Sequence, residues 1–582
     1  MAHDERPWLR FYDEWVDPDF KVPDVTYVEL LEESFSDFAE QAALHFLGVT
    51  LTFRQLDSYS ARFAAFLAEI GCGPGNVVGI NLPNTPQYLI AHAGTLRAGC
   101  AATGVSPLLT PKEMAYQLND CGARVLVTLD AIFEQRVTKI CDKVPKLTHI
   151  VPTNVADFLP WPKRTLGRLL KKIPSGKVVP LPGKTVLTMP QLLDKYSAKT
   201  PNVTIKPGDN CLIQYTGGTT GMPKGTELTH RNMVANLLQS KQWLDTKRGG
   251  EIYISGFPFF HLAGLAYGMS GMCLGNTQIL IPDPRNTKHI CSEFARYLPT
   301  AMANVPSLYQ MLLTEPMFKT LNFSQLKACL SGAAPFPVES FKALEALVGE
   351  GKVIEVYGMT EASPLLTVNP YKGLKKVGTV GVPMQSTFIK LTDLDTGTKE
   401  VAVGEEGQLI ARGPQIMKGY YNKPEETANA LREFQGETWM YTGDVAKMDE
   451  DGYFTIVDRA KDMLNVGGFK VFSKEVEETL YEHPAIQFCA IVGIPNPDRP
   501  GSEIVKAVIQ LERSYREKDP NEVKKVLLEY CHESMAPYKR PKLVEFVNEL
   551  PLTAVGKVDK KVLRKLLHDS SQRISSEKET EQ

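Results

Sequence analysis

Short apolar runs alternate with helix-patterned stretches along roughly the first 360 residues, and this alternation limits the fold more than any other feature. In 51–70, Leu56, Tyr59, Phe63, Phe66, Leu67 and Ile70 recur at helical spacing, and Gly71 follows as a stop signal. Val77, Val78, Gly79, Ile80 and Leu82 then form an apolar run ending at Pro83 and Asn84, the pattern of a buried strand. A helix at 85–97 and a strand at 123–128 continue the series. Further strand patterns fall at 251–257, 277–282, 299–304, 326–330 and 352–356. Strands separated by helices predict an α/β architecture built on parallel-sheet layers.

From about 375 the texture changes. Short β-rich pieces (GTVGVP, STFIKLTD, EGQLIARG, YFTIVD) are separated by Gly, Asp and Asn turns. After Asp458 a small α+β pattern follows: helix 473–482, strands 487–494 and 503–511, helix 520–534, strand 542–547. The predicted division is 1–457, a boundary at 458–461, a second domain at 462–568, and a polar tail at 569–582 that reads as disordered.

Composition narrows the class. The 582 residues allow several folding units. Lys+Arg is 65 and Asp+Glu 67, a net charge of −2, which argues against a dedicated nucleic-acid partner. No apolar run approaches the roughly 20 residues needed to span a bilayer. The opening MAHDERPWLRFYDEW is charged and aromatic, unlike a signal peptide. Ten cysteines lie scattered with no CxxC pair, which reads as reduced thiols in the cytoplasm. The oligomeric state is left open, with room for an oligomer.

Two segments stand out. Residues 215–225 read YTGGTTGMPKG. Gly217, Gly218 and Gly221 let the backbone approach a ligand closely. Thr216, Thr219 and Thr220 add hydroxyls and Lys224 a cation, which together make an anion cradle. It is not a Walker A loop, because Pro223-Lys224-Gly225 reverses the order that motif needs. The other segment lies within an insertion at about 155–185. Its 163–184 stretch carries seven basic residues and no acid, with Leu166, Leu169, Leu170 and Ile173 on one helical face. It reads either as a solvated surface insertion or as a peripheral contact with anionic membrane.

YTGGTTGMPKGTELTHRNM resembles the AMP-binding signature of the adenylate-forming superfamily, which includes the acyl-CoA synthetases. Further segments resemble that family's motifs in the same order. They are Gly256-Phe257-Pro258-Phe259-Phe260-His261, Ser331-Gly332-Ala333-Ala334-Pro335, Tyr357-Gly358-Met359-Thr360-Glu361 and Tyr441-Thr442-Gly443-Asp444. Asp458-Arg459-Ala460-Lys461-Asp462 with Gly467-Gly468-Phe469-Lys470, and then Pro551-Leu552-Thr553-Ala554-Val555-Gly556-Lys557, complete the set. QYTGGTTG, PDPRN and the 155–185 insertion look most like bacterial long-chain fatty acid–CoA ligases.

The resemblance implies a large N-terminal domain with a small β-barrel-like subdomain, a mobile C-terminal domain, and two-step chemistry. A carboxylate attacks ATP to give acyl-AMP and pyrophosphate; the thiol of coenzyme A (CoA) then displaces AMP. It implies that Lys557 bridges carboxylate and phosphate oxygens and that Lys461 is the hinge between two working orientations. Glu361 and the Thr216 hydroxyl become the ligands of Mg²⁺. Asp444 takes the ribose, Arg459 the ribose or phosphate, and Tyr357 stacks on adenine beside Gly332, Ala333 and Ala334, with Gly358 and Thr360 completing the loop. Those small residues suit tight strand packing equally well. His261, Leu265, Pro306 and Gly332 fall at the acyl pocket, although a histidine among aromatics also reads as core. Leu265 stands where some long-chain members carry a tryptophan gate. Gly467, Gly468, Lys470, Lys539 and Arg540 are the candidates for CoA. The implied substrates are a medium- to long-chain fatty acid, ATP and CoA. The alternatives are an aromatic or alicyclic acid, with the reaction run in either direction, and a catalytically silent acyl- or nucleotide-binding protein.

Overall fold

The computed structural model describes residues 6–169, 173–216, 222–459, 462–467, 469–497, 499, 502–553, 558–560 and 562–564. The chain divides into two compact units. The larger comprises Trp8–Phe388 and Ala411–Met440; the smaller comprises Met1–Pro7, Ile389–Ile410 and Tyr441–Gln582.

The alternation of apolar runs and helices in the larger unit produces two mainly parallel sheets. One has nine strands in the order Val382–Pro383, Leu365–Val368, Val353–Gly358, Ala328–Ser331, Ala301–Asn304, Ile252–Ser255, Thr277–Leu280, Ala42–Phe46 and Val49–Thr52. Its six central strands run parallel, and the strands at both edges run antiparallel. The second sheet has eight strands: Gly419–Tyr420, Lys224–Thr229, Asn210–Thr216, Ala101–Gly104, Val77–Asn81, Val125–Leu129, His149–Thr153 and Thr185–Val186. From Asn210–Thr216 onward it is parallel. Parallel strands are covered on both faces, which is why they read as unbroken apolar runs rather than alternating ones.

Helix Pro86–Arg97 is buried along its whole length. It packs against Phe53–Glu69, where a Cβ at Gly94 would stand 2.7 Å from the Ser60 carbonyl, so only glycine permits that approach. Phe63, Leu89, Leu96, Phe259, Leu265 and Met269 share one core cluster. Each large side chain withdrawn from water in this way contributes about 1.5–3 kcal/mol.

In the smaller unit, the 444–448 part of strand Glu437–Met448 pairs with Phe454–Arg459 as an antiparallel ribbon, within which Asp444 lies opposite Arg459. Ile486–Pro495 and Glu503–Leu511 pair antiparallel, and Leu543–Val547 joins them in parallel. Helices Ser473–Tyr481 and Pro520–Ser534 close a core of Val476, Leu480, Ile491, Ile509 and Leu527. These elements match the predicted α+β pattern to within a residue or two. A half-buried ion pair joins Lys560 to Glu477 at 2.7 Å, and Lys560 also donates to the Ser473 hydroxyl at 2.6 Å.

Candidate active site

Three of the motif segments, and the acyl-pocket candidate Pro306, lie at the carboxyl ends of adjacent parallel strands in the nine-stranded sheet. Gly256 follows Ile252–Ser255, Pro306 lies just beyond Ala301–Asn304, Gly332 follows Ala328–Ser331, and Glu361 lies just beyond Val353–Gly358. Open α/β sheets bind their ligands outside this edge, because the connections leaving it diverge to form a crevice.

Packing sets the backbone there. A Cβ on Gly332 would meet the Val356 side chain at 2.6 Å, and one on Gly358 would meet the Pro364 carbonyl at 1.9 Å. Ala333 holds φ +68° without being glycine, a conformation that costs about 1–3 kcal/mol and persists only where the surroundings impose it. Ala334 completes that turn, and Tyr357 pairs with Thr367 across the sheet. Thr360 and Glu361 sit in the one-turn 3₁₀ helix Thr360–Ala362, with Glu361 buried.

The phosphate-loop motif springs from the other sheet. Residues 217–221, which hold Gly217, Gly218, Thr219, Thr220 and Gly221, lie outside the described residues. Their flanks are placed: Thr216 ends one strand and Lys224 begins the next, as direct partners. The Tyr215 hydroxyl donates to Asp120 at 2.6 Å, Lys423 pairs with the same carboxylate at 3.2 Å, and Tyr116 donates to the Pro223 carbonyl at 3.0 Å. The described residues on both flanks of the loop are therefore held by polar contacts.

Lys224 makes an ion pair with Glu426, and its ammonium sits 4.9 Å from the centre of the Tyr420 ring. The Tyr420 hydroxyl donates to the Glu361 carboxylate at 2.8 Å. Glu426, Lys224, Tyr420 and Glu361 thus form one chain of contacts from the phosphate-loop strand to the end of the nine-stranded sheet. Burial first, and the neighbouring Glu361 and Glu426 charges, push the Tyr420 phenol far up, so it stays protonated and donating. Sequence reasoning singled out Lys224 and Glu361 but missed Tyr420 and Glu426. Their segment, GYYNKPEET, looks like an ordinary polar turn before a short helix.

The 256–261 segment is clamped by polar groups from the eight-stranded sheet and its connections. The Asn84 amide donates to the Phe257 carbonyl at 2.8 Å and accepts from the Phe259 N–H at 2.7 Å. Tyr88 and Gln214 donate to the Phe259 and Phe260 carbonyls, each at 2.8 Å. His261 caps helix Leu262–Cys273, its Nδ1 accepting from the Ala263 N–H at 3.3 Å. Leu265 is fully buried in the core of this unit, and Pro306 is the first residue of helix Pro306–Thr314. Asn84 and Tyr88 carried no readable signal, since each is a common polar residue whose partner lies far along the chain; Gln214 heads the QYTGGTTG motif, but nothing local points to its bond with Phe260.

In the smaller unit Arg459 Nε approaches the buried Asp444 carboxylate at 3.3 Å. Gly467 takes φ +64° and donates its N–H to the Ser502 hydroxyl at 2.8 Å. Lys470 pairs with Asp395 at 3.0 Å, Lys539 with Glu475, and Arg540 donates to the Met535 carbonyl at 2.8 Å. Lys461, Gly468, Lys557 and the tail at 569–582 lie outside the described residues.

The profile of the AMP-binding enzyme family matches residues 31–421, and that of the AMP-binding enzyme C-terminal domain matches 475–557. The chain belongs to the AMP-binding enzyme family. The long-chain-fatty-acid–CoA ligase of Bacillus subtilis (strain 168) is 38% identical over 98% of this chain and 99% of its own length. That of Escherichia coli O157:H7 is 36% identical over 92% of this chain and 94% of its own. The crystal structure of an anthranilate CoA ligase in complex with anthranoyl-AMP superposes with a TM-score of 0.81 at 27% identity, over 95% of this chain and 99% of that one. In this AMP-binding enzyme the α/β fold expected from the strand pattern is therefore also the fold of its structural neighbours. No helix among the described residues is long and apolar enough to cross a membrane.

Proposed function

We infer that this protein is an ATP-dependent long-chain fatty acid–CoA ligase that releases AMP and pyrophosphate. The observation that carries the reading is the 38% identity to a long-chain-fatty-acid–CoA ligase, held over nearly the full length of both chains. The three motif segments at one edge of the nine-stranded sheet support it.

In the first half-reaction the 217–221 loop and Lys224 hold the triphosphate. Lys557 neutralises charge as the fatty carboxylate closes on the α-phosphate, and that electrostatic help is what two approaching anions require. Tyr357 and the Gly332–Ala334 turn take adenine, and Asp444 and Arg459 take the ribose side. Thr216 and Glu361 offer hard oxygen donors, and the described residues contain no group of three or more His, Cys, Asp or Glu placed to hold a metal. That donor set suits Mg²⁺, which binds one or two protein oxygens and fills its shell with phosphates and water. When bound, the ion neutralises phosphate charge. In the second half-reaction Lys461 acts as the hinge within a boundary at 458–461, and the 462–568 domain turns so that Gly467, Gly468, Lys470, Lys539 and Arg540 serve CoA. The segment about His261, Leu265 and Pro306 forms the acyl wall. The enzyme works in the cytoplasm and touches anionic membrane through its basic insertion.

The likeness to an anthranilate CoA ligase supports a second reading, with an aromatic acid as substrate. One experiment separates them: saturated acids of graded length, benzoate and anthranilate, each with ATP and CoA, assayed for AMP and for the acyl-CoA product. The long-chain reading expects kcat/KM to rise with chain length and to exceed that of either aromatic acid. Preference for an aromatic acid would replace it, and no AMP release with any acid would remove both.

A further inference from the structure

We propose that Tyr420 is a positioning residue for adenylation: its hydroxyl fixes the Glu361 carboxylate while its ring seats Lys224, so the metal-side acid and the phosphate-side cation keep their places together. The inference rests on the reading above, in which Glu361 holds the divalent cation.

Tyr420 itself is held on several sides. It pairs with Thr226 in the eight-stranded sheet, and its N–H donates to the Thr427 hydroxyl at 2.8 Å. Thr427 lies in helix Pro424–Ala430, the same short helix that carries Glu426. A Cβ on Gly419, at φ +157°, would meet the Thr427 side chain at 2.8 Å, so the residue before Tyr420 has no room for a side chain. Tyr421 donates its N–H to the Gly225 carbonyl at 2.8 Å, next to Lys224. The tyrosine is thus a rigid post between two charged groups of opposite sign.

Its chemistry suits the task. A protonated phenol donates to one carboxylate oxygen and so fixes the orientation of the carboxylate. The ring face attracts the Lys224 ammonium without neutralising it, so the lysine keeps its charge for phosphate. Glu426 is the lysine's counter-ion in this structure, and an arriving triphosphate competes with it. Hydrogen-bonded partners of metal-ligating carboxylates commonly carry a tenfold to hundredfold share of metal affinity, because they fix the ligand's orientation.

The test uses the full-length protein with α,β-methylene-ATP, whose α–β bridge cannot be cleaved so that it transfers no adenylate to the acid, and Mn²⁺ as the probe. Bound Mn²⁺ is read by electron paramagnetic resonance, and thermal unfolding is followed alongside. Tyr420→Phe keeps the ring and should weaken Mn²⁺ binding about tenfold. It should raise the Mg²⁺ concentration for half-maximal adenylation by a similar factor, with the unfolding temperature and the KM for fatty acid held. Tyr420→Leu also removes the ring and should weaken α,β-methylene-ATP binding by a further two- to fivefold, roughly the worth of one cation–ring contact. If Tyr420→Phe binds Mn²⁺ as tightly as the parent while Glu361→Gln does not, the positioning role is overturned and the metal assignment stands. If Glu361→Gln also binds Mn²⁺ unchanged, both fall. The acid panel on the parent enzyme reports separately on the ligase reading.

Discussion

Asp444 and Arg459 face each other as register partners in an antiparallel ribbon, with Arg459 Nε 3.3 Å from the Asp444 carboxylate. The aspartate is buried and the arginine is about half exposed, so the carboxylate has a fixed direction while the guanidinium can move to a ligand. Asp444→Asn should raise the KM for ATP about tenfold, the scale of losing one charge-assisted hydrogen bond, with little change in the KM for CoA. Fluorescence titration with a labelled ATP analogue checks the binding term directly. An unchanged ATP affinity would reduce the pair to a structural contact.

The two half-reactions should separate by mutation. Lys557→Ala should slow acyl-AMP formation more than about a hundredfold, the usual scale of losing one electrostatic contact at developing charge, and largely spare thioester formation from supplied acyl-AMP. Lys461→Pro should do the reverse, because proline fixes the φ on which a hinge depends. Pre-steady-state assays of each step decide it, and equal loss of both steps in either variant rejects the assigned role.

Leu265 is fully buried in the same core cluster as Phe259, Leu262 and Met269. Leu265→Trp therefore adds volume to a packed wall, at a cost of about 1–3 kcal/mol. Activity should fall more on long acids than on short ones, alongside a lower unfolding temperature. Loss of stability with an unaltered chain-length profile would show that Leu265 serves the core alone.

The basic insertion should make membrane binding salt-sensitive. Helix Trp161–Leu169 leaves Trp161 70% exposed. An exposed tryptophan favours the interface, and each nearby Lys or Arg contributes about 1 kcal/mol toward anionic lipid. Co-sedimentation with anionic vesicles should fade at high salt. Replacing Lys163, Arg164, Arg168, Lys171 and Lys172 with Gln should abolish it while sparing turnover of short acids. Protein left in the supernatant at low salt would make the segment a plain surface insertion.

Acid should destabilise the larger unit through its histidines. Burial lowers His230 from 6.5 to about 4 and His92 to about 3, the latter with help from His230. Both are neutral in the folded chain and protonate more readily when it unfolds. Their stabilisation is complete above about pH 6.5 and is lost as pH falls through the window toward 4 and 3, by about 1.4 kcal/mol per unit for each group. Thermal unfolding between pH 7 and pH 4 should show this slope, and His92→Gln should flatten it. An equal slope in the variant would assign the acid sensitivity to other groups.

Much of this was legible in the order of residues. Periodicity gave the strands Val77–Asn81, Val125–Leu129, Ile252–Ser255, Thr277–Leu280, Ala301–Asn304, Ala328–Ser331 and Val353–Gly358 and the C-terminal helices and strands, because burial on both faces leaves an unbroken apolar signature in local sequence; it did not give Ala101–Gly104, His149–Thr153, Asn210–Thr216 or Lys224–Thr229. The Gly–Thr–Lys composition of 215–225 pointed to an anion-binding turn for an equally local reason, since backbone freedom and hydroxyl donors are properties of the residues themselves. Tertiary structure decided which distant groups meet. Tyr420 reaches Glu361 across 59 positions, Lys224 reaches Glu426 across 202, and Asn84 clamps a segment more than 170 positions away. No local rule encodes those pairings, because each depends on which strands become neighbours in a sheet and which connections leave the same edge. The sequence by itself determined the elements and the chemical types at the candidate site; the packing of two sheets determined that a tyrosine with no distinguishing local pattern stands between the site's acid and its cation.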